Sequence, residues 1–121
     1  MANAVKEEAE ELICPLIDAR RMEVFTAVYN KQLDEIISPL ALVIDEKSFD
    51  EELKEHRILF CGNGLKKTEP IIKSINALFT ETGFDSRDMV SLSEALFNKR
   101  EFLDLAYSEP IYLKEFYTKS K

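Results

Sequence analysis

The sequence predicts an α/β fold: a mixed five-stranded sheet made of a three-stranded antiparallel meander plus two parallel strands, with helices packed on it. Three observations lead there. Residues 13–44 hold three β-type stretches separated by short polar links. Ile58-Leu59-Phe60-Cys61 is a continuous apolar run, the pattern of a strand buried on both faces of a sheet. From residue 48 onward, helical and strand periodicities alternate. Strand–helix–strand units need right-handed parallel crossovers, so the last two strands join the meander in parallel.

Each element has its own signal. Ala2 to Leu12 reads as a leading helix, with Val5, Ala9 and Leu12 on one face and Glu7, Glu8, Glu10 and Glu11 around the rest. Ile13 to Ala19 is the first strand. Arg20 and Arg21 interrupt it, and Met22 to Tyr29 follows with Val24, Thr26 and Val28 on one side and Phe25, Ala27 and Tyr29 on the other. So short a link implies an antiparallel hairpin. Asn30 to Asp34 turns into a third strand, Glu35 to Ile44, in which Pro39 marks an edge or a bulge. Ser48 and Glu51 form a capping-box pattern for a helix from Phe49 to Glu55. The buried strand 58–61 ends at Gly62-Asn63-Gly64. Thr68 as N-cap and Pro70 in the first turn then open a helix with Ile71, Ile72 and Ile75 on its apolar side. Ala77-Leu78-Phe79 is the fifth strand. Asp85 or Ser86 caps a last helix whose buried face is Met89, Leu92 and Leu96, with Val90 and Phe97 beside them, ending at Asn98 or Lys99. The tail from Glu101 is expected to be extended and packed through Ile111-Tyr112-Leu113, with residues 118–121 frayed.

Composition narrows the function classes. A chain of 121 residues with 45% hydrophobic content, three glycines and four prolines reads as one globular domain. Its 23 acidic against 16 basic side chains give a net charge of -7, which argues against a nucleic-acid or anionic-membrane surface. No apolar run approaches the roughly 20 residues of a membrane span. The acidic, polar start reads as no signal peptide, and Cys14 and Cys61 are too few for a disulfide scaffold, so the expected location is cytoplasmic.

Three stretches, in order, carry a family resemblance: Ile17-Asp18-Ala19-Arg20-Arg21-Met22-Glu23-Val24-Phe25, Leu59-Phe60-Cys61-Gly62-Asn63-Gly64, and Ser108-Glu109-Pro110-Ile111-Tyr112-Leu113-Lys114. Together they resemble the C-terminal half of the bacterial TsaB family, also called YeaZ. The first fits its IDAR-x-x-EVY hairpin, with Phe25 for the usual tyrosine. The second fits its strand and G-[DN]-G turn, the third its closing EP-x-YL segment. The resemblance runs from about Leu12 to Lys114. It implies an actin-like, ribonuclease H-like (ASKHA) half-domain, the C-terminal half of a two-domain protein whose N-terminal half of about a hundred residues lies outside this sequence. It also implies a non-catalytic scaffold role in forming threonylcarbamoyladenosine in tRNA. That role works, through the full-length protein, with a TsaD-type transferase and a TsaE-type ATPase, and tRNA is met only indirectly. An older description of the family is a glycoprotease of the M22 peptidase type, so a nucleotide-binding or peptidase-like enzyme domain is the alternative.

The candidate residues follow from the same stretches. Gly62, Asn63 and Gly64 sit where an actin-like ATPase brings a glycine turn close to its nucleotide, and small residues after a buried strand permit such an approach. The simpler reading is a strand-to-helix turn needing positive φ at one or both glycines. Asp18, Arg20, Arg21 and Glu23 make a charged hairpin tip that either makes an ion-pair contact to the N-terminal half or to a partner, or serves turn chemistry, and Tyr112 joins them as an interaction candidate. Cys14 and Cys61 read as inert buried thiols. His56 has no second histidine for a metal site, and no serine lies in a nucleophile elbow. No catalytic residue, metal or cofactor is expected. A homodimer through the first helix or an open sheet edge is a further expectation.

Overall fold

The computed structural model describes residues 1–115. The elements are α1 (Ala2–Val5), β1 (Leu12–Asp18), β2 (Glu23–Asn30), β3 (Glu35–Val43), α2 (Asp50–Glu55), β4 (Ile58–Cys61), α3 (Leu65–Thr68), β5 (Ala77–Thr80), a 3-10 turn (Ser86–Met89) and α4 (Val90–Asn98). They build one five-stranded sheet in the order β3-β2-β1-β4-β5. β1 to β3 form the antiparallel meander, and β4 and β5 join it in parallel beside β1. This is the architecture the periodicity predicts.

Strand alternation divides the apolar residues between two faces. On the first face Cys14, Leu16, Val24, Val28, Ile58 and Phe60 pack with Leu53 of α2, Leu65 of α3, and Phe49 and Ile72. Phe60 is fully buried and touches Phe49 edge-on and Phe79 in a stack, each at a centroid distance of 5.4 Å. On the second face Val5 and Ala9 cover Ile13, Leu59 and Cys61. β4 therefore loses all four side chains to the interior, as its unbroken apolar run requires. In β3, Leu40 opposes Thr26 but Ile37 opposes Val28. The extra residue is a bulge beside Pro39, on an edge strand where a missing N–H costs no ladder bond.

Four expectations fail. The leading helix stops at Val5, and residues 6–11 are turns and bends. Glu7, Glu8, Glu10 and Glu11 stand three and four apart, so a continued helix would stack like charges. Leu12 instead begins β1, its N–H donating to the Arg57 carbonyl at 3.1 Å. The Ser48–Glu51 capping box does not form. Ser48 Oγ accepts from Asp45 N at 2.9 Å and donates to Asp45 Oδ1, while Phe49, at φ 65°, precedes the helix. The third helix lies before Pro70, not after it. Thr68 is its last residue and donates to the Gly64 carbonyl at 3.0 Å. Pro70 follows the helix and lacks the N–H that would continue its bonding, although Glu69 before it is still right-handed.

The fourth failure concerns the C-terminal part. Met89, Leu92 and Leu96 are exposed, as are Val90 and Phe97. α4 is held at its start, where Asn3 Nδ2 donates to Asp88 O at 2.8 Å and to Ser91 Oγ. Over β1 and β4, Val5 and Ala9 already occupy the sheet face that α4 would cover. Of Ile111-Tyr112-Leu113, the first two are largely exposed, and Leu113, 37% exposed, reaches a groove on the sheet. The expectation of fraying at 118–121 lies outside the described residues.

Candidate functional site

The carboxyl ends of β1 and β4 lie side by side in parallel. From β1 the chain turns to β2 on one side, and from β4 it moves to β5 on the other. Such a divergence is where open α/β sheets commonly form a crevice. All three stretches that carry the family resemblance reach this end of the molecule.

Gly62-Asn63-Gly64 follows β4. Gly62 has φ 107°, a conformation that favours glycine, while Gly64 is right-handed. A Cβ on Gly62 would lie 2.3 Å from the Leu16 carbonyl oxygen, and one on Gly64 would lie 2.8 Å from Leu16 Cβ. Gly64 N donates to that same Leu16 carbonyl at 3.1 Å. The close approach made by these glycines is thus to the chain's own β1. Asn63 Oδ1 accepts from Asp18 N at 2.8 Å and ties the turn to the hairpin.

At the hairpin tip, Arg20 and Arg21 have φ of 70° and 49°. Asp18 Oδ1 accepts from Arg20 N at 2.8 Å. Both arginine side chains are exposed. Beneath the tip lies a residue that no sequence signal singles out. Lys67 of α3 has a side chain only 15% exposed, and Nζ donates to Asp18 Oδ1 at 2.7 Å, Arg21 O at 2.7 Å and Glu23 O at 2.8 Å. The ammonium group, with the Arg20 N–H, holds the Asp18 carboxyl below the usual aspartate range. Lys67 has no motif around it, and only the fold shows that one turn of helix after Gly64 delivers it here. Lys114, the last residue of the third stretch, makes an ion pair with Glu23. Tyr112 lies in that same segment, largely exposed.

The structure therefore brings Asp18, Asn63, Arg20, Arg21 and Glu23 together and adds Lys67 and Lys114, while Tyr112 enters as a chain neighbour of Lys114. The cysteines lie in the sheet interior. Desolvation pushes the Cys61 thiol up to about 11 and Cys14 higher still, so neither is a thiolate near neutral pH. His56 Nδ1 lies 3.5 Å from Glu11 on the surface. A separate apolar groove of about 450 Å³ opens on the second sheet face, with Ile17, Phe25, Tyr29, Leu92 and Leu113 in its walls. No helix among the described residues is long and apolar enough to cross a membrane.

No family model matches this chain, and no curated protein matches it. Solved structures do. One is the crystal structure of an uncharacterized protein with similarity to peptidase YeaZ from Pseudomonas aeruginosa. It is 20% identical to this chain with a TM-score of 0.71, over 93% of this chain and 56% of that one. This chain thus spans little more than half the length of that neighbour. At such identity the likeness is one of fold, and the five-stranded mixed sheet described above is the fold of a YeaZ-like protein.

Proposed function

We propose that this chain is a non-catalytic scaffold domain of the TsaB type. It serves a complex that forms threonylcarbamoyladenosine in tRNA, acting through a TsaD-type partner, joined by a TsaE-type ATPase, and meeting tRNA only through them. The observation that carries the reading is the convergence of the three family-like stretches. They are far apart in sequence, yet Asp18 bonds Asn63 and Glu23 pairs with Lys114 at one end of the sheet. The YeaZ-like fold supports it. So does the use of the glycine turn and Lys67 for internal bonding, which leaves the lysine's three donors occupied. Co-expression with a TsaD-type protein tests the reading: a stable complex is expected on size exclusion, and no complex under conditions that assemble other such pairs would overturn it.

A second reading, a nucleotide-binding or peptidase-like enzyme domain, is favoured by one feature, the glycine turn at the carboxyl ends of parallel strands. Calorimetry with ATP and magnesium decides it. Asn63→Ala is the informative variant, because a side chain at Gly64 would strike Leu16 and disturb the fold itself.

A further inference from the structure

We infer that the β1–β2 tip is a docking point for an acidic segment of a protein partner. Arg20 and Arg21 grip carboxylates there, and Met22 and Val43 receive a neighbouring apolar side chain. The first ground is charge. The chain carries -7, yet Arg20, Arg21, Lys67 and Lys114 gather at this one tip against the two carboxylates of Asp18 and Glu23.

The second ground is what those charges are doing. Lys67 and Lys114 are engaged with Asp18 and Glu23, whereas neither guanidinium of Arg20 or Arg21 has a hydrogen-bond or ion-pair partner among the described residues. A guanidinium offers a planar fork matched to a carboxylate, and two adjacent forks can take two acids or one acid and a carbonyl.

The third ground is rigidity. Lys67 Nζ fastens the carbonyls of Arg21 and Glu23, Asn63 fastens Asp18 N, and Glu23 N donates to Arg20 O at 3.1 Å. Both arginines stand at positive φ, where asparagine or glycine would be easier. A pinned tip loses little freedom when it binds. Beside it is a cleft of about 690 Å³ whose walls include Arg20, Arg21, Met22 and Val43, together with Glu23, whose carboxylate is paired with Lys114. Met22 and Val43 are both exposed. Apolar contact flanked by cations fits a peptide in which acidic and apolar side chains adjoin. A nucleic acid fits poorly, because a phosphate chain longer than the tip runs onto the acidic remainder of the surface.

This inference rests on the scaffold reading only in taking the hairpin as a partner surface, and its test is independent of TsaD. The probe is a short fluorescently labelled peptide of alternating glutamate and leucine, read by anisotropy with the full chain at low ionic strength. Its glutamine counterpart and a short oligouridylate are the controls. The glutamate peptide is expected to bind, to weaken as salt rises, and to lose on the order of tenfold in affinity against the Arg20→Glu, Arg21→Glu double variant. Met22→Ser is expected to weaken it severalfold with the charges intact, which keeps the test open should the double variant unfold. No binding by the glutamate peptide, equal binding by the glutamine peptide, or tighter binding by oligouridylate would overturn the inference. A chain that binds the peptide but never a TsaD-type partner sinks the scaffold reading and leaves this one standing. The reverse outcome does the opposite.

Discussion

Lys67 places one charge against three oxygens, from the side chain of Asp18 and the main chain of Arg21 and Glu23. Hydrogen bonds made by a charged donor contribute more than neutral ones. Lys67→Met keeps the stem's packing and removes the donors, and is expected to destabilise the chain by about 1–2 kcal/mol, read as a lower urea midpoint. The same contact sets an acid dependence. Asp18 titrates below its ordinary value of 3.8 when folded. Its contribution is therefore present above that ordinary value and lost as pH falls through the folded one. The stability gap between the chain and Asp18→Asn should be widest near neutral pH and close in acid. A gap independent of pH would remove the Lys67–Asp18 contact from the account. The glycines give a sharper contrast. Gly62→Ala puts a Cβ 2.3 Å from the Leu16 carbonyl at φ 107°, whereas a Cβ on Gly83 meets nothing within 4 Å. The first is expected to cost about 2 kcal/mol or more and the second less than about 0.5 kcal/mol in thermal or urea unfolding. Equal effects would mean that Gly62 is not the close-approach residue.

Among the elements, the strands, α2 and the bounds of the last helix were legible in the sequence, whereas α1 and α3 were not, for a physical reason. A strand's period of two shows in five or six residues, and β2 displays it as Val24, Thr26 and Val28 against Phe25, Ala27 and Tyr29. α1 and α3 are single turns of four residues, too short to display a period of 3.6. Val5 and Ala9 do share a buried cluster, but a turn delivers Ala9 to it. Pro70 fits equally well as a first-turn residue or a stop, and only the packing of Leu65 and Thr68 into the interior chooses. The charged tip was legible because Asp18, Arg20, Arg21 and Glu23 are contiguous. Lys67 was not, because its partners lie more than forty residues away. α4 is a nine-residue helix with no buried residue. Isolated helices below about 12–15 residues are marginal in water. Amide exchange of residues 90–98 is therefore expected near the rate of frayed segments, while Ile13, Leu59 and Phe60 exchange only through global opening. Protection of α4 comparable to β4 would show that something covers it in solution.

For the whole molecule, the two sheet faces are unequal. The first is closed by α2 and α3 over a core centred on Phe60. The second is closed over β1 and β4 by Val5 and Ala9, but over β2 and β3 it opens into the groove that Phe25, Tyr29, Ile17, Leu92 and Leu113 line. Beyond it Val90, Phe97, Phe102 and Leu105 remain exposed. A folded chain with so much apolar surface in one region should bind a hydrophobic reporter dye without first unfolding. An anilinonaphthalene sulfonate dye, itself an anion, must do so against a net charge of -7, so its binding should strengthen when salt screens that charge. Ile17→Lys and Leu92→Lys place a charge in the groove wall at positions already partly open to water. Each is expected to lower the native-state fluorescence severalfold while shifting the unfolding midpoint little. Ile75→Lys changes a residue that is 90% exposed and outside the groove, and should leave the signal near that of the unsubstituted chain. Equal loss at all three positions would place the dye elsewhere. No signal from the native chain would mean that the second face is covered in solution, with the groove closed by the chain itself or by another copy.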